Sequence, residues 1–299
     1  MSKILIAGGT GLIGNAITKL LLDKGHEVAF LSRKENLTEK IPRYRWSFEE
    51  DFIDPRALDG VAYLINLAGA PIADRPWTKQ RRALIINSRV QGNKLIASHI
   101  RSKKLQLKKY ISASAIGYYG DRGTEKLTEQ STSGDGFLAE CCIAWEEAIN
   151  MIDALGTPTT TIRVGIVLSN DGGALPKIML TAKFGLGSYF GNGEQIYSWV
   201  HINDIAKLFV WALENDVVVG TYNGTAPGSV DNKTLVKKIM DVKGGISLPV
   251  PAFLLKTAMG ELSTALLNSS DVYPKNAMKD GFEFQFPKID AAIKNLLKS

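Results

Sequence analysis

Cysteine and histidine are scarce: the 299 residues hold two cysteines, the neighbours Cys141 and Cys142, and three histidines, His26, His99 and His201. Two adjacent thiols cannot staple a secreted scaffold, and neither their spacing nor their neighbours offer a zinc site, so no disulfide framework and no metal centre is expected. Long apolar runs are lacking too. The longest stretch, VAYLINLAGAPIA at residues 61–73, is interrupted by Asn66 and too short to span a bilayer. The opening MSKILIAGG enters a strand at Ile4 without a basic leader, which suits a cytoplasmic protein without a membrane partner. The net charge of +6 and pI near 9.1 raise nucleic acid as a partner. The densest basic run, RSKKLQLKK at residues 101–109, lacks interleaved aromatics and closes a helical pattern. It reads as a solvated helix end whose lysines face the negative pole of the dipole, so no nucleic acid is expected.

What is present is alternation. KILIAG is a buried strand, residues 12–24 repeat apolar side chains at helical spacing, Gly25 stops them, and EVAFL begins the next strand. Further strands are expected near residues 44–48, at 61–67, 109–113 and 159–168, with helices over 80–99 and 137–155. This pattern predicts an α/β protein with a Rossmann-like doubly wound parallel sheet, whose ligands sit beyond the carboxyl ends of the strands. After residue 168 the Gly-rich turns SNDGG, FGLG and FGNGE break the chain into shorter pieces, including helices at 202–214 and 234–240 and an amphipathic stretch over 251–267. The expected division is a dinucleotide-binding domain of residues 1–168, joined by part of 198–225, and a smaller substrate-cleft domain drawn mainly from 169–299.

GGTGLIG places Gly8, Gly11 and Gly14 between the first strand and the first helix. With Thr10, Leu12 and Ile13 they would present backbone N–H groups and the positive pole of the helix to a pyrophosphate. The second strand ends in Ser32, Arg33 and Lys34, where a carboxylate would otherwise meet a free ribose hydroxyl. Two cations there suit a 2′-phosphate, which favours NADP(H) over NAD. Leu67, Ala68 and Gly69 offer small side chains and open backbone at the end of another strand. Arg163 is a charge within an apolar strand and must either pair internally or meet an anionic group. His201, in SWVHIND, serves either as a satisfied structural histidine or as a substrate contact.

Together GGTGLIG, SASAIGYYGD, the Trp145 and Glu146 pair in CCIAWEEA, RVGIVLSNDGGAL, GLGSYFGNGEQIYSWVHIND and PKNAMKDGFEFQFPKIDAAI resemble the extended short-chain dehydrogenase/reductases. Within them the chain is similar to the atypical epimerase family proteins, of the cell-division-inhibitor-like nucleoside-diphosphate-sugar epimerase type, from Ile4 to about Leu297. The resemblance implies an NADP-binding Rossmann domain and a small C-terminal domain shaping a cleft for a small carbonyl or a sugar nucleotide. It implies a serine that polarises the substrate, a YxxxK tyrosine that moves the proton, and a lysine that lowers the tyrosine's pKa and holds the nicotinamide ribose. Ser114 stands at the serine position, with Ser112 as a rival, four residues before Tyr118.

The YxxxK pair is missing: Phe137 and Cys141 occupy the expected positions, and no tyrosine is followed four residues later by lysine. A phenylalanine ring has no proton to give, and loss of such a group costs roughly 10² to 10⁴ in rate. Arg89 also stands about where the family has a structural asparagine. Tyr118, Tyr119, Glu140 and Cys141 are the replacements within reach. The expected function is an NADP(H)-dependent oxidoreductase-like or epimerase-like protein. Its alternative is a non-catalytic NADP(H)-binding regulator or sensor, and a homodimer is compatible with either.

Overall fold

Parallel strands covered on both faces can be apolar along their whole length, and KILIA and VAYLIN are such segments. In the computed structural model, which describes residues 1–298, they lie at the centre of the main sheet. Among these residues the sheet has eight strands: β1 (Lys3–Ala7), β2 (Glu27–Ser32), β3 (Arg43–Ser47), β4 (Phe52–Ile53), β5 (Val61–Asn66), β6 (Lys109–Ala115), β7 (Thr159–Val164) and β8 (Gly220–Gly224). Their order is β8-β7-β6-β5-β1-β2-β3-β4, parallel throughout except for the β3/β4 edge pair. Ile4, Leu5 and Ile6 are fully buried.

Helices cover both faces. α1 (Leu12–Asp23) packs against α4 (Ile202–Glu214), and α2 (Lys79–Lys103) packs against α3 (Phe137–Asp153). α2 begins at Thr78, whose hydroxyl accepts from the Arg81 N–H, and ends where Lys104 turns left-handed at φ 51°. The strand Gly220–Gly224, from the second half of the chain, completes the sheet beside β7.

A second core gathers Leu168, Leu175, Trp199, Leu235, Ile239 and Ile293. Around it stand two-stranded sheets, among them Leu186–Phe190 with Ile246–Val250. Residues 159–168 do not form the single strand expected. Gly165 sits so close to the neighbouring backbone that a Cβ would lie 2.6 Å from the Ser198 oxygen. The chain leaves the main sheet there, and Ile166–Leu168 pairs with Trp199–His201 instead. The amphipathic stretch 251–267 also divides, at Gly260 with φ +57°, into helix Ala252–Met259, a 3₁₀ turn Gly260–Ser263 and helix Thr264–Leu267. Among the described residues no helix is long and apolar enough to cross a membrane, and no group of three or more metal-ligating side chains comes together.

Candidate functional site

The glycine turn folds directly onto the end of β5. Gly8 holds φ +80°, and a Cβ on it would meet the Leu67 carbonyl carbon at 2.9 Å. A Cβ on Gly14 would lie 2.5 Å from the Gly8 oxygen. Both positions therefore require glycine, one for its dihedral and one for close backbone approach. Gly11 starts α1 without a side-chain cap, and the first turn carries no acidic residue. By contrast Thr78, His201 and Asp231 each cap the helix that follows them. The Leu12 and Ile13 amides thus stay open at the positive end of α1, beside the exposed Thr10.

At the end of β2 the Ser32 hydroxyl accepts the Lys34 N–H at 3.4 Å. Arg33 and Lys34 are exposed and join no ion pair among the described residues. Nearby arginines are all engaged: Arg43 with Glu39, Arg45 with Glu50, and Arg56 with Glu35 and Asp54. The Arg56 hydrogen bond holds the Asp54 carboxyl below its ordinary value. After β5, Leu67 donates to the Ala7 carbonyl at 2.8 Å, Ala68 to Asn66 Oδ1 at 3.1 Å, and Ala70 to Ser88 Oγ at 2.9 Å. Sequence reasoning missed Asn66 and Ser88 as supports of this loop. The available signal was a polar residue closing the apolar strand VAYLIN, since a buried amide needs partners.

Beyond β6 the polar groups bond to one another. Ser114, 2% exposed, donates its hydroxyl proton to Glu146 Oε1 at 2.7 Å. Arg163, expected either to pair internally or to meet an anionic group of a substrate, gives Nε to Glu146 Oε1 at 2.8 Å, Nη2 to Oε2 at 2.7 Å and Nη1 to the Tyr119 hydroxyl at 2.9 Å. Each of its guanidinium nitrogens is engaged inside the protein, and Glu146 supplies its counter-charge, so the internal pairing is the alternative realised. Burial alone would lower its pKa, but the Glu146 hydrogen bonds outweigh that and hold it protonated. Tyr119 in turn donates to Asn223 Oδ1 at 2.8 Å, and burial pushes its pKa up to about 12. Tyr118 lies with its ring on the Arg163 guanidinium, 3.4 Å from Cζ to the centroid, and its hydroxyl has no hydrogen-bond partner among the described residues. Glu146 is the hub of this network.

His201 is likewise removed from a substrate's reach. Its Nδ1 accepts the Asn203 N–H at 3.0 Å, Nε2 donates to Asn295 Oδ1 at 3.1 Å, and the ring stacks on Phe286. Burial lowers its pKa, which agrees with a neutral ring. Asp204, three residues on, accepts the N–H groups of Gln285 and Phe286.

Between the turn after β6, the start of α3 and residues 261–270 opens a cleft of about 390 Å³. Gly117, Gly120, Phe137, Ser198, Glu261 and Asn268 are among its lining residues. Phe137 fills the wall, edge-on to Trp77 at 4.8 Å and under Arg82 at 5.0 Å. Arg82 also pairs with Glu261, one of the lining residues. Cys141 and Cys142 are buried, and burial pushes both thiols up, Cys142 to about 12, which removes Cys141 as a ready nucleophile. Glu140 is exposed on the helix surface.

Comparison with known proteins agrees with this architecture. The model of the NAD dependent epimerase/dehydratase family matches residues 4–223, and a domain of unknown function, DUF1731, matches residues 250–296. The epimerase family protein YfhF of Bacillus subtilis is 36% identical over 298 residues, covering 99% of this chain and 98% of its own. The crystal structure of human epimerase family protein SDR39U1 with NADPH superimposes with a TM-score of 0.90 at 30% identity, covering 99% of each chain. A Thermus thermophilus UDP-glucose 4-epimerase, 18% identical, shares the fold at a TM-score of 0.77 over 99% of this chain and 98% of its own. The chain therefore belongs to the NAD dependent epimerase/dehydratase family, as one of its epimerase family proteins.

Proposed function

We propose that this protein binds NADP(H) across the glycine turn and holds a small carbonyl or a sugar nucleotide in the adjoining cleft, as an oxidoreductase-like or epimerase-like member of the extended short-chain dehydrogenase/reductases. The observation that carries this reading is the two cations Arg33 and Lys34, which join no ion pair among the described residues, beside a helix start without a side-chain cap. The residues fit the group. Gly8 and Gly14 leave no room for a Cβ, and the Leu12 and Ile13 amides supply donors for a pyrophosphate. Leu67, Ala68 and the exposed Gly69 would line the rest of its path. Support comes also from the human relative crystallised with NADPH.

Bound NADP(H) supplies the hydride donor or acceptor. The protein's part is to orient the substrate and move a proton. In this reading Tyr118 is the proton-moving group, because its hydroxyl is not taken up by the protein and its ring rests on a fixed cation. Ser114 reaches a substrate oxygen only by giving up Glu146. That commitment, with Phe137 at the usual tyrosine position, favours a second reading in which NADP(H) is bound without turnover.

Fluorescence titration of NADPH and NADH against the wild type and Arg33→Ala tests the binding claim. The wild type should prefer NADPH by at least about tenfold, the worth of one or two charge-assisted hydrogen bonds, and the variant should lose most of that preference. Equal affinities, unchanged in the variant, would sink it. Following NADPH oxidation with carbonyl and sugar-nucleotide substrates separates the two readings. Turnover that falls 10²-fold or more in Tyr118→Phe supports catalysis. No turnover with retained NADPH affinity supports the sensor.

A further inference from the structure

Arg89 is a buried cation with no carboxylate paired to it among the described residues. The residue is 8% exposed, its Nη1 donates to the Ala70 carbonyl at 3.2 Å and the Ile85 carbonyl at 2.9 Å, and its Cζ lies 4.9 Å from the centre of the Trp145 ring. Its Nε has no partner among the described residues, and neither has Nε1 of Trp145, whose ring the guanidinium faces, so two neighbouring residues each keep a buried donor without an acceptor. The neighbouring Cys141 and Cys142 thiols, both pushed up by burial, provide no negative charge. Buried charges and donors of this kind are normally matched. Here the match is missing at the edge of the ligand-binding face.

Gly69 shows where it could enter. A Cβ on Gly69 would stand 2.9 Å from Arg89 Cζ and 3.1 Å from Nη2, so any side chain there would press on the guanidinium. Gly69 itself is exposed. The sheet order β2, β1, β5, β6 fixes which part of a ligand passes this point. With the 2′-phosphate at the end of β2 and the pyrophosphate over β1, the remaining half of the dinucleotide runs over β5, where Gly69 lies.

Resting on the NADP(H) reading, we propose that Arg89 is the cation that holds the nicotinamide half of the cofactor, donating past Gly69 to the oxygens of its ribose. Arg89 is then a cofactor contact carried by α2, and Ser88 beside it fixes the loop from below through the Ala70 N–H.

The test compares NADPH with adenosine 2′,5′-bisphosphate, which lacks the nicotinamide half, on the wild type, Arg33→Ala, Arg89→Met and Arg89→Lys. Arg89→Met should weaken NADPH by about tenfold or more and leave the bisphosphate within about twofold, while Arg33→Ala weakens both. Arg89→Lys keeps the charge and should recover part of the loss. Without ligand, Arg89→Met should melt no lower than wild type, because an apolar chain of similar length replaces a cation without a counter-charge. Its melting rise on adding NADPH should shrink. NADPH affinity unchanged in Arg89→Met overturns the proposal. So does an apo melting temperature that falls together with affinity for the bisphosphate, since that marks a structural role. A wild type that binds neither probe removes the NADP(H) reading and this proposal together.

Discussion

The carboxyl edge of the sheet has two halves made from similar residues with opposite habits. Over β2 and β1, cations and backbone amides are left open: Arg33 and Lys34 meet no acid among the described residues, and α1 has no side-chain cap. Over β6 and β7, Ser114, Glu146, Arg163, Tyr119 and Asn223 satisfy one another in a chain of contacts between 2.7 and 2.9 Å. Hydrogen-bonding capacity that the protein has used holds the fold; capacity it has left over faces a ligand. By this measure the half usually associated with chemistry is the more structural one here, and the cofactor half is the more prepared.

The contrast can be broken most severely at Gly14. Valine there drives a side chain into the Gly8 and Gly9 backbone. We expect NADPH affinity to fall at least 100-fold by titration and stability to fall by about 3 kcal/mol in urea unfolding, as overpacking against an immovable backbone does. Next comes Glu146→Gln. It leaves Arg163 as a buried cation without its counter-charge, so unfolding free energy should drop by about 3 kcal/mol, while NADPH affinity changes little. Loss of affinity as large as the loss of stability would mean the two halves are not separate.

The smallest effect belongs to His201. Burial depresses its pKa below 6.5 in the folded protein. Its neutral form is then favoured by folding, so its contribution is full above pH 6.5 and is lost as the pH falls through the depressed folded value. Melting curves between pH 7.5 and 5 should show a decline that His201→Gln makes shallower; an equal slope in the variant would show that the ring does not titrate with folding.

What could be read from sequence was what is contiguous. The apolar runs of β1 and β5 and the glycine turn between β1 and α1 announce their place in the fold within a few residues. The network could not be read this way. Glu146 meets Ser114 across 32 positions and Arg163 across 17, and His201 meets Asn295 across 94. A charge in an apolar strand signals that Arg163 needs a partner, but its identity depends on how α3 packs on the sheet. The break at Gly165 was hidden for the same reason, since the Ser198 backbone that crowds it comes from a later strand. Arg89 was visible only as an unusual residue in NSRVQGN; its missing counter-charge emerges when Trp145, Gly69 and the two thiols are brought around it.

A crystal grown with NADPH tests the central claim most directly. Pyrophosphate density should lie against the amides of Leu12 and Ile13, with the 2′-phosphate between Arg33 and Lys34. An empty glycine turn, or a 2′-phosphate lodged away from those two side chains, would contradict it.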